Sequence, residues 1–274
     1  MSDPTLRAVG AALTIDELPT YRSWLLEAGR DVEIQDPAYP MFLDGDWRSQ
    51  VRTALDLLDG HRGRVGIHGP FVGLNIIGFD PKVRDVVQTR LLQGIEVAHA
   101  LGGSHMVVHS PFEFFGHPMS TESPAFGLAR TLDLIRLTLE PVVTQAAQAG
   151  VTLVIETIHD THVRPLLALV DSFASETVRL SIDVGHTFIT HRIGGPSPDQ
   201  WANEAGPRLA HLHIQDTDGL WDRHWGPGRG QVNWFALFEA LGTLEQSPRL
   251  ILELRDKTDI PRAAAWLTQQ GFVR

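Results

Sequence analysis

Nine residues in this sequence are of types that bind divalent cations and are spaced so that a fold could gather them: His68, His109, Glu156, Asp183, His186, His213, Asp222, His224 and Glu253. The chain has no cysteine, so an ion here must be held by imidazole nitrogen and carboxylate oxygen. Such a set fits zinc, and its carboxylate-rich part fits manganese or cobalt as well. Six short apolar runs each finish on one of these residues: GRVGIH on His68, HMVVH on His109, VTLVIE on Glu156, RLSID on Asp183, LAHLH on His213 and LILE on Glu253. His186 follows in DVGH, and Asp222 with His224 lies in WDRHWGPGRG. A single histidine at a strand end is ordinarily a polar residue that has found a partner. Four acidic groups and five histidines in one apolar volume are different, because clustered carboxylates repel one another and are costly to desolvate. A divalent cation removes both penalties.

The elements that must position these residues follow from the patterning. Eight strands are expected, at roughly 8–13, 31–35, 64–68, 105–109, 151–156, 179–183, 209–213 and 249–253, separated by longer helical patterns. Asp80-Pro81 reads as an N-cap with proline at the first helical position, and Val83, Val86, Val87, Ile95 and Ala98 form the apolar stripe that follows. Thr14 with Glu17 resembles a capping box, Asn233 a further cap, and Ile260-Pro261 the start of the last helix. Pro141 falls inside a helical stretch at 126–149, which predicts a kink or a break there. Repeated βα units predict a single (β/α)8 TIM barrel over residues 1–274, with the metal site at the C-terminal face of its strands. An open doubly wound sheet would place a glycine-rich phosphate loop after its first strand, where this chain has AALTIDEL.

Composition narrows the function. Hydrophobic content of 43% and charged content of 20% in 274 residues are those of a soluble globular protein with a sizeable core. No apolar run is long enough to span a bilayer and the N-terminus carries no basic-then-apolar leader, so a cytoplasmic protein with no membrane partner is expected. A formal charge of −10 makes nucleic acid the less expected partner. The only lysines are Lys82, in a first helical turn, and Lys257, four residues past the last predicted strand. Neither sits where a Schiff-base aldolase needs its amine.

The motifs IHGPFVGLNI, MVVHSP, LVIET, LSIDVGH, HLHIQD, DRHWGPGRGQVNW and LILEL resemble the xylose isomerase-like barrel superfamily, from about residue 30 to 255. Two branches of that group imply different chemistry. The sugar isomerase and epimerase branch implies one divalent ion on Glu156, Asp183, His213 and Glu253. The two glutamates there move a proton next to a carbonyl of a sugar or sugar phosphate, and His186 contacts substrate. The apurinic endonuclease branch implies three zinc ions: His68, His109 and Glu156 on the first, Glu156 (bridging), Asp183, His213 and Glu253 on the second, and His186, Asp222 and His224 on the third. That branch hydrolyses a phosphodiester. Two features favour the first branch. DPAYPMFLDGDWRSQ, where the endonucleases carry basic DNA-binding loops, is apolar and acidic with one arginine, and LSIDVGH reads like the isomerase version. The expected function is therefore a sugar isomerase or epimerase with a small carbohydrate substrate; a multinuclear zinc hydrolase is the alternative, and a non-catalytic binding barrel a third.

Lesser expectations concern the surroundings. Gly226, Gly228 and Gly230 with Arg229 could cradle a phosphate or merely shape a tight turn. Trp225, with Trp221 and Trp234, could wall the pocket, and Arg229 and Trp225 are taken as substrate contacts. His211 is expected deeper in the barrel than His213, and His99, His105 and His191 as structural or surface residues. Pro111–Pro124, containing Phe112, Phe114 and Phe115, is long for a βα loop and suits a lid or a homo-oligomer contact.

Overall fold

A computed structural model describes residues 8–112 and 127–274. Its first half runs β1 (Gly10–Leu13), α1 (Leu18–Glu27), β2 (Val32–Ile34), α2 (Pro40–Asp44), α3 (Trp47–Leu57), β3 (Val65–His68), α4 (Pro81–Ala100) and β4 (His105–His109). The second half runs α5 (Leu128–Ala149), β5 (Thr152–Glu156), α6 (Val163–Ser172), β6 (Val178–Asp183), α7 (Val184–His191), α8 (Pro198–Ala205), β7 (Leu209–Ile214), α9 (Trp234–Gly242), β8 (Arg249–Leu252) and α10 (Ile260–Gln269). The eight strands pair in parallel in chain order, and β8 closes on β1. This is a (β/α)8 barrel, as the alternating patterns predict, and each expected strand is present with its ends shifted by two residues or fewer. Among the described residues no helix is long and apolar enough to cross a membrane.

Strand period explains which side chains go where. Leu153 and Ile155 of β5, Leu180 and Ile182 of β6, and Leu212 and Ile214 of β7 join the apolar layer beneath the helices. Their neighbours Glu156, Ser181 with Asp183, and His211 with His213 therefore point into the barrel. Register then sets neighbours within that interior: His109 pairs beside Glu156, and Asp183 beside His213. Barrel interiors of this kind are usually filled by branched aliphatic residues. Here Glu33, His105, Ser181 and His211 are fully buried within it.

The expected caps form: Asp80 accepts from the Lys82 amide, Asn233 from the Ala236 amide, and Thr14 and Glu17 make a capping box, although on a 3-10 turn (Ile15–Glu17) that leads into α1. The break expected at Pro141 does not occur, since α5 runs unbroken through it. Proline lacks the N–H that would bond the Leu137 carbonyl. Gln88 of α4 supplies the missing donor, its Nε2 lying 2.9 Å from Leu137 O. The predicted lid or oligomer segment Pro111–Pro124 lies, beyond Phe112, outside the described residues.

Candidate metal centre

The strand ends bring the nine predicted residues together as three adjoining groups. Glu156, Asp183, His213 and Glu253 form the central one, with His68, His109 and Glu156 on one side and His186, Asp222 and His224 on the other. Within each group, potential ligand atoms lie within 4.8 Å of one another. His68, His109, Glu156 and Asp183 end their strands, His213 is the penultimate residue of β7, and Glu253 follows β8 by one residue. His186 comes from the first turn of α7, which Asp183 caps by accepting from the His186 amide at 2.7 Å.

Hydrogen bonds aim the imidazoles. His68 Nδ1 is 3.0 Å from Gly69 O, His186 Nδ1 3.0 Å from Thr157 O, and His224 Nδ1 2.8 Å from Glu253 O. A carbonyl only accepts, so each ring donates from Nδ1 and turns Nε2, the atom that would bind an ion, into the site. There, His68 Nε2 and His109 Nε2 lie 3.8 and 3.6 Å from Glu156 Oε2. His186 Nε2 and His224 Nε2 lie 3.4 and 2.9 Å from the Asp222 carboxylate. His224 holds this position with φ +50, a strained conformation for a residue other than glycine. His213 is reversed: its Nδ1 lies 2.5 Å from Glu156 Oε1 and 3.4 Å from Glu253 Oε2.

Burial and charge act against each other throughout these groups. Burial drives Asp183 up to about 6, with repulsion from Glu156 and Glu253 adding to it against the pull of His186 and His224. Burial also opposes ionisation of Glu156, but His213, His109 and His68 overcome it and hold that carboxyl below its ordinary value. Burial works against a charged His213 and His224 as well. The carboxylates outweigh it, raising His213 well above its ordinary value and His224 to about 9. His109, where burial wins, is lowered to about 3 and so offers a free lone pair. The buried oxygens Glu156 Oε2 and Asp183 Oδ2 have no hydrogen-bond partner among the described residues. Two orphaned anionic oxygens in one group, each costing a few kcal/mol to leave unmet, fit a divalent ion bound at that group.

Above the centre lies a cavity of about 550 Å3, lined by His68, His109, Glu156, His186, Asp222, His224 and Glu253 and walled by Tyr39, Phe71 and Trp221. No lysine or arginine lines it among the described residues. A second cavity of about 350 Å3 adjoins it past Phe71 and His109.

The two expected substrate contacts are elsewhere. Arg229 is drawn to Asp259 at 2.7 Å, and Trp225 is held by backbone bonds to Asp216 with Arg223 over its ring. Trp221, 69% exposed, takes the place at the rim. The glycine loop is a shaped turn and not a phosphate cradle. Buried Asp216 accepts from the Gly228 and Val232 amides and from Trp234 Nε1, and a Cβ on Gly230 would lie 2.3 Å from its carboxylate. Sequence reasoning missed Glu33, fully buried in β2, together with Gln35 and Gln215. Gln215 Nε2 bridges Asp183 and Asp222 at 3.0 Å each. A glutamate in the middle of the strand run VEI was the signal available for Glu33, since a buried charge needs a partner. His105, read as structural or surface, proves buried against that glutamate at 3.3 Å. His211 lies there too, as its place two residues before His213 predicts.

Residues 29–274 match the family model described as xylose isomerase-like TIM barrel. An uncharacterized protein of Methanocaldococcus jannaschii, MJ1311, is 24% identical over 200 residues, which is 70% of this chain but only 64% of that protein's length. The TTHB071 protein from Thermus thermophilus, in a crystal soaked with ZnCl2, superposes with a TM-score of 0.75 at 28% identity, covering 96% of this chain and 97% of its own. A D-tagatose 3-epimerase-like protein superposes with a TM-score of 0.78 at 20% identity, covering 96% of each chain. The chain belongs to the xylose isomerase-like TIM barrel family.

Proposed function

We propose that this protein is a metal-dependent isomerase or epimerase of a small sugar, moving a proton at the carbon next to a carbonyl. The observation that carries this reading is the pairing of Glu156 and Glu253 on one ligand group that also borders the cavity. A cavity of about 550 Å3 is within the range of small-molecule sites, and its lining of carboxylates, imidazoles and aromatic rings suits the hydroxyls and faces of a monosaccharide. A divalent ion, zinc or manganese, held by Glu156, Asp183, His213 and Glu253 would polarise substrate oxygens. One glutamate takes the proton and the other returns it, while His186, bordering the cavity, contacts a substrate hydroxyl. The likeness to a D-tagatose 3-epimerase-like protein supports the same class. An uncharged sugar fits the described lining better than a sugar phosphate, since no lysine or arginine stands there to meet a dianion. Incubating the metal-loaded protein with ketoses in D2O tests this directly. Deuterium should enter next to the carbonyl, and Glu156→Gln and Glu253→Gln should each abolish it. Undiminished exchange in both variants would falsify the proposal.

A second reading, a multinuclear zinc hydrolase of the apurinic endonuclease type, is favoured by one observation. The His68–His109–Glu156 and His186–Asp222–His224 groups are themselves complete, three ligands each, with the ring nitrogens of His68, His186 and His224 aimed inward. Three ions per chain together with nicking of abasic duplex DNA would select this reading over the first.

A further inference from the structure

β1 and β2 are the two strands with none of the nine candidate ligands at or beside their C-terminal ends, yet β2 and the residue after it touch two of them. We infer that Glu33 and Gln35 are positioning residues for the metal centre, Glu33 presenting His213 through Nδ1 and Gln35 presenting Glu253 through Oε2. The inference rests on metal binding at the Glu156–Asp183–His213–Glu253 group, and not on which reaction follows.

The geometry at Glu33 leaves little freedom. Its Oε1 is 2.9 Å from His213 Nε2, while Oε2 is 3.1 Å from His211 Nε2 and 3.3 Å from His105 Nε2. A carboxylate only accepts, so the ring nitrogen facing it carries hydrogen. With Nε2 committed to Glu33, Nδ1 is left as the His213 nitrogen that would take an ion, and it faces Glu156 and Glu253. His211 lies against the same carboxylate, its ring held by Ser181, whose Oγ is 2.8 Å from His211 Nδ1. The other aimed histidines, His68, His186 and His224, anchor Nδ1 on backbone carbonyls, which no substitution can remove. For His213 the anchor is a side chain.

Gln35 works on Glu253 in the same way. Its Nε2 donates to Glu253 Oε1 at 2.9 Å, and its Oε1 accepts from Lys257 Nζ at 2.8 Å. An ammonium has no acceptor, so the Gln35 amide cannot be reversed: oxygen must face Lys257 and nitrogen must face Glu253. Lys257 is itself fixed by a bond to Ala12 O at 2.8 Å. With Oε1 occupied, Glu253 turns Oε2 to the centre, 3.4 Å from His213 Nδ1 and 3.6 Å from His224 Nδ1. The lysine that has no place in a Schiff-base mechanism thus has one in aligning a ligand.

Dissociation constants for Zn2+ and Co2+, measured by chelator competition on the full chain, test this. Glu33→Gln should weaken both by about 10- to 100-fold, the usual cost of losing an outer-shell partner, with a changed visible spectrum of bound Co2+. Gln35→Leu and Lys257→Met should weaken binding in the same direction, and they carry the test if Glu33→Gln does not fold. Thr138→Val is the control. It removes a buried hydroxyl that bonds Ile76 O and Leu134 O and none of the nine residues, and should lower the Tm while leaving affinity and spectrum as in the wild type. Wild-type affinity and an unaltered Co2+ spectrum in the folded Glu33, Gln35 and Lys257 variants would overturn the inference. A wild-type chain that binds neither ion would instead overturn the metal-site reading on which it rests.

Discussion

Asp183→Asn should make the metal-free protein more stable and the metal-loaded protein less so. Asp183 is fully buried, and its carboxyl is pushed from 3.8 up to about 6 by burial, reinforced by Glu156 and Glu253. In the unfolded chain it ionises near its ordinary value, so folding resists the charge. That cost is absent below about pH 4, grows between about 4 and 6, and is complete above. Two pH units at about 1.4 kcal/mol each give roughly 3 kcal/mol at pH 8. Asparagine keeps an oxygen for the two bonds Asp183 accepts, from the His186 amide at 2.7 Å and Gln215 Nε2 at 3.0 Å. Most of the 3 kcal/mol should therefore appear as a gain, worth on the order of 5 °C in Tm for a chain of this size. An ion bound only to the folded state adds about 4 kcal/mol to the wild type at a thousandfold excess over its dissociation constant, and the variant forgoes it. Urea unfolding at pH 8 and pH 4.5, in EDTA and in saturating Zn2+, should show the order reverse on adding the ion. It should also show the metal-free advantage of the variant shrink in acid. A variant less stable than wild type in EDTA at pH 8 would refute the reasoning.

Three further outcomes follow from the same structure. Burial pushes Asp160 up to about 7 despite bonds from the Ile158 amide and Ser110 Oγ, so its ionisation costs stability as pH rises from about 4 to 7. Asp160→Asn should then be more stable than wild type at pH 8 and no more stable at pH 4 by urea unfolding, and an equal gain at both would exclude burial as the cause. A Cβ on Gly185 would fall 2.2 Å from the Gln215 amide, so Gly185→Ala should displace the bridge between Asp183 and Asp222. Its Zn2+ affinity by chelator competition should drop about 10-fold or more, and unchanged affinity would deny the bridge a role. Trp221→Ala should raise KM for the sugar about 5-fold, with kcat little altered, as expected for an aromatic contact worth about 1 kcal/mol in ground and transition states alike. A matching fall in kcat would place Trp221 nearer the reacting carbon.

The centre was legible because strand period and barrel closure act together. Once VTLVIE, RLSID and LAHLH are strands, residues far apart in sequence must converge, whatever the loops do. What supports the centre was harder to read. Glu33 belongs to, and Gln35 directly follows, a strand with no ligand of its own, and their partners His213, Glu253 and Lys257 are about 180 to 220 positions away in the chain. Arg229 and Trp225 sit in a stretch rich in candidate contacts, and nothing local reveals that Asp259 and Asp216 claim them. The break expected at Pro141 is absent, and the donor that meets the Leu137 carbonyl comes from Gln88, one helix away, where nothing local reveals it.

Counting the ions retained per chain after dialysis against Zn2+ or Mn2+, by elemental analysis of wild type beside Asp183→Asn, tests the metal-dependent proton-transfer site most directly. About one tightly held ion in the wild type and none in the variant is the result expected of that site. A wild-type chain that emerges without metal, from either ion in excess, would contradict it.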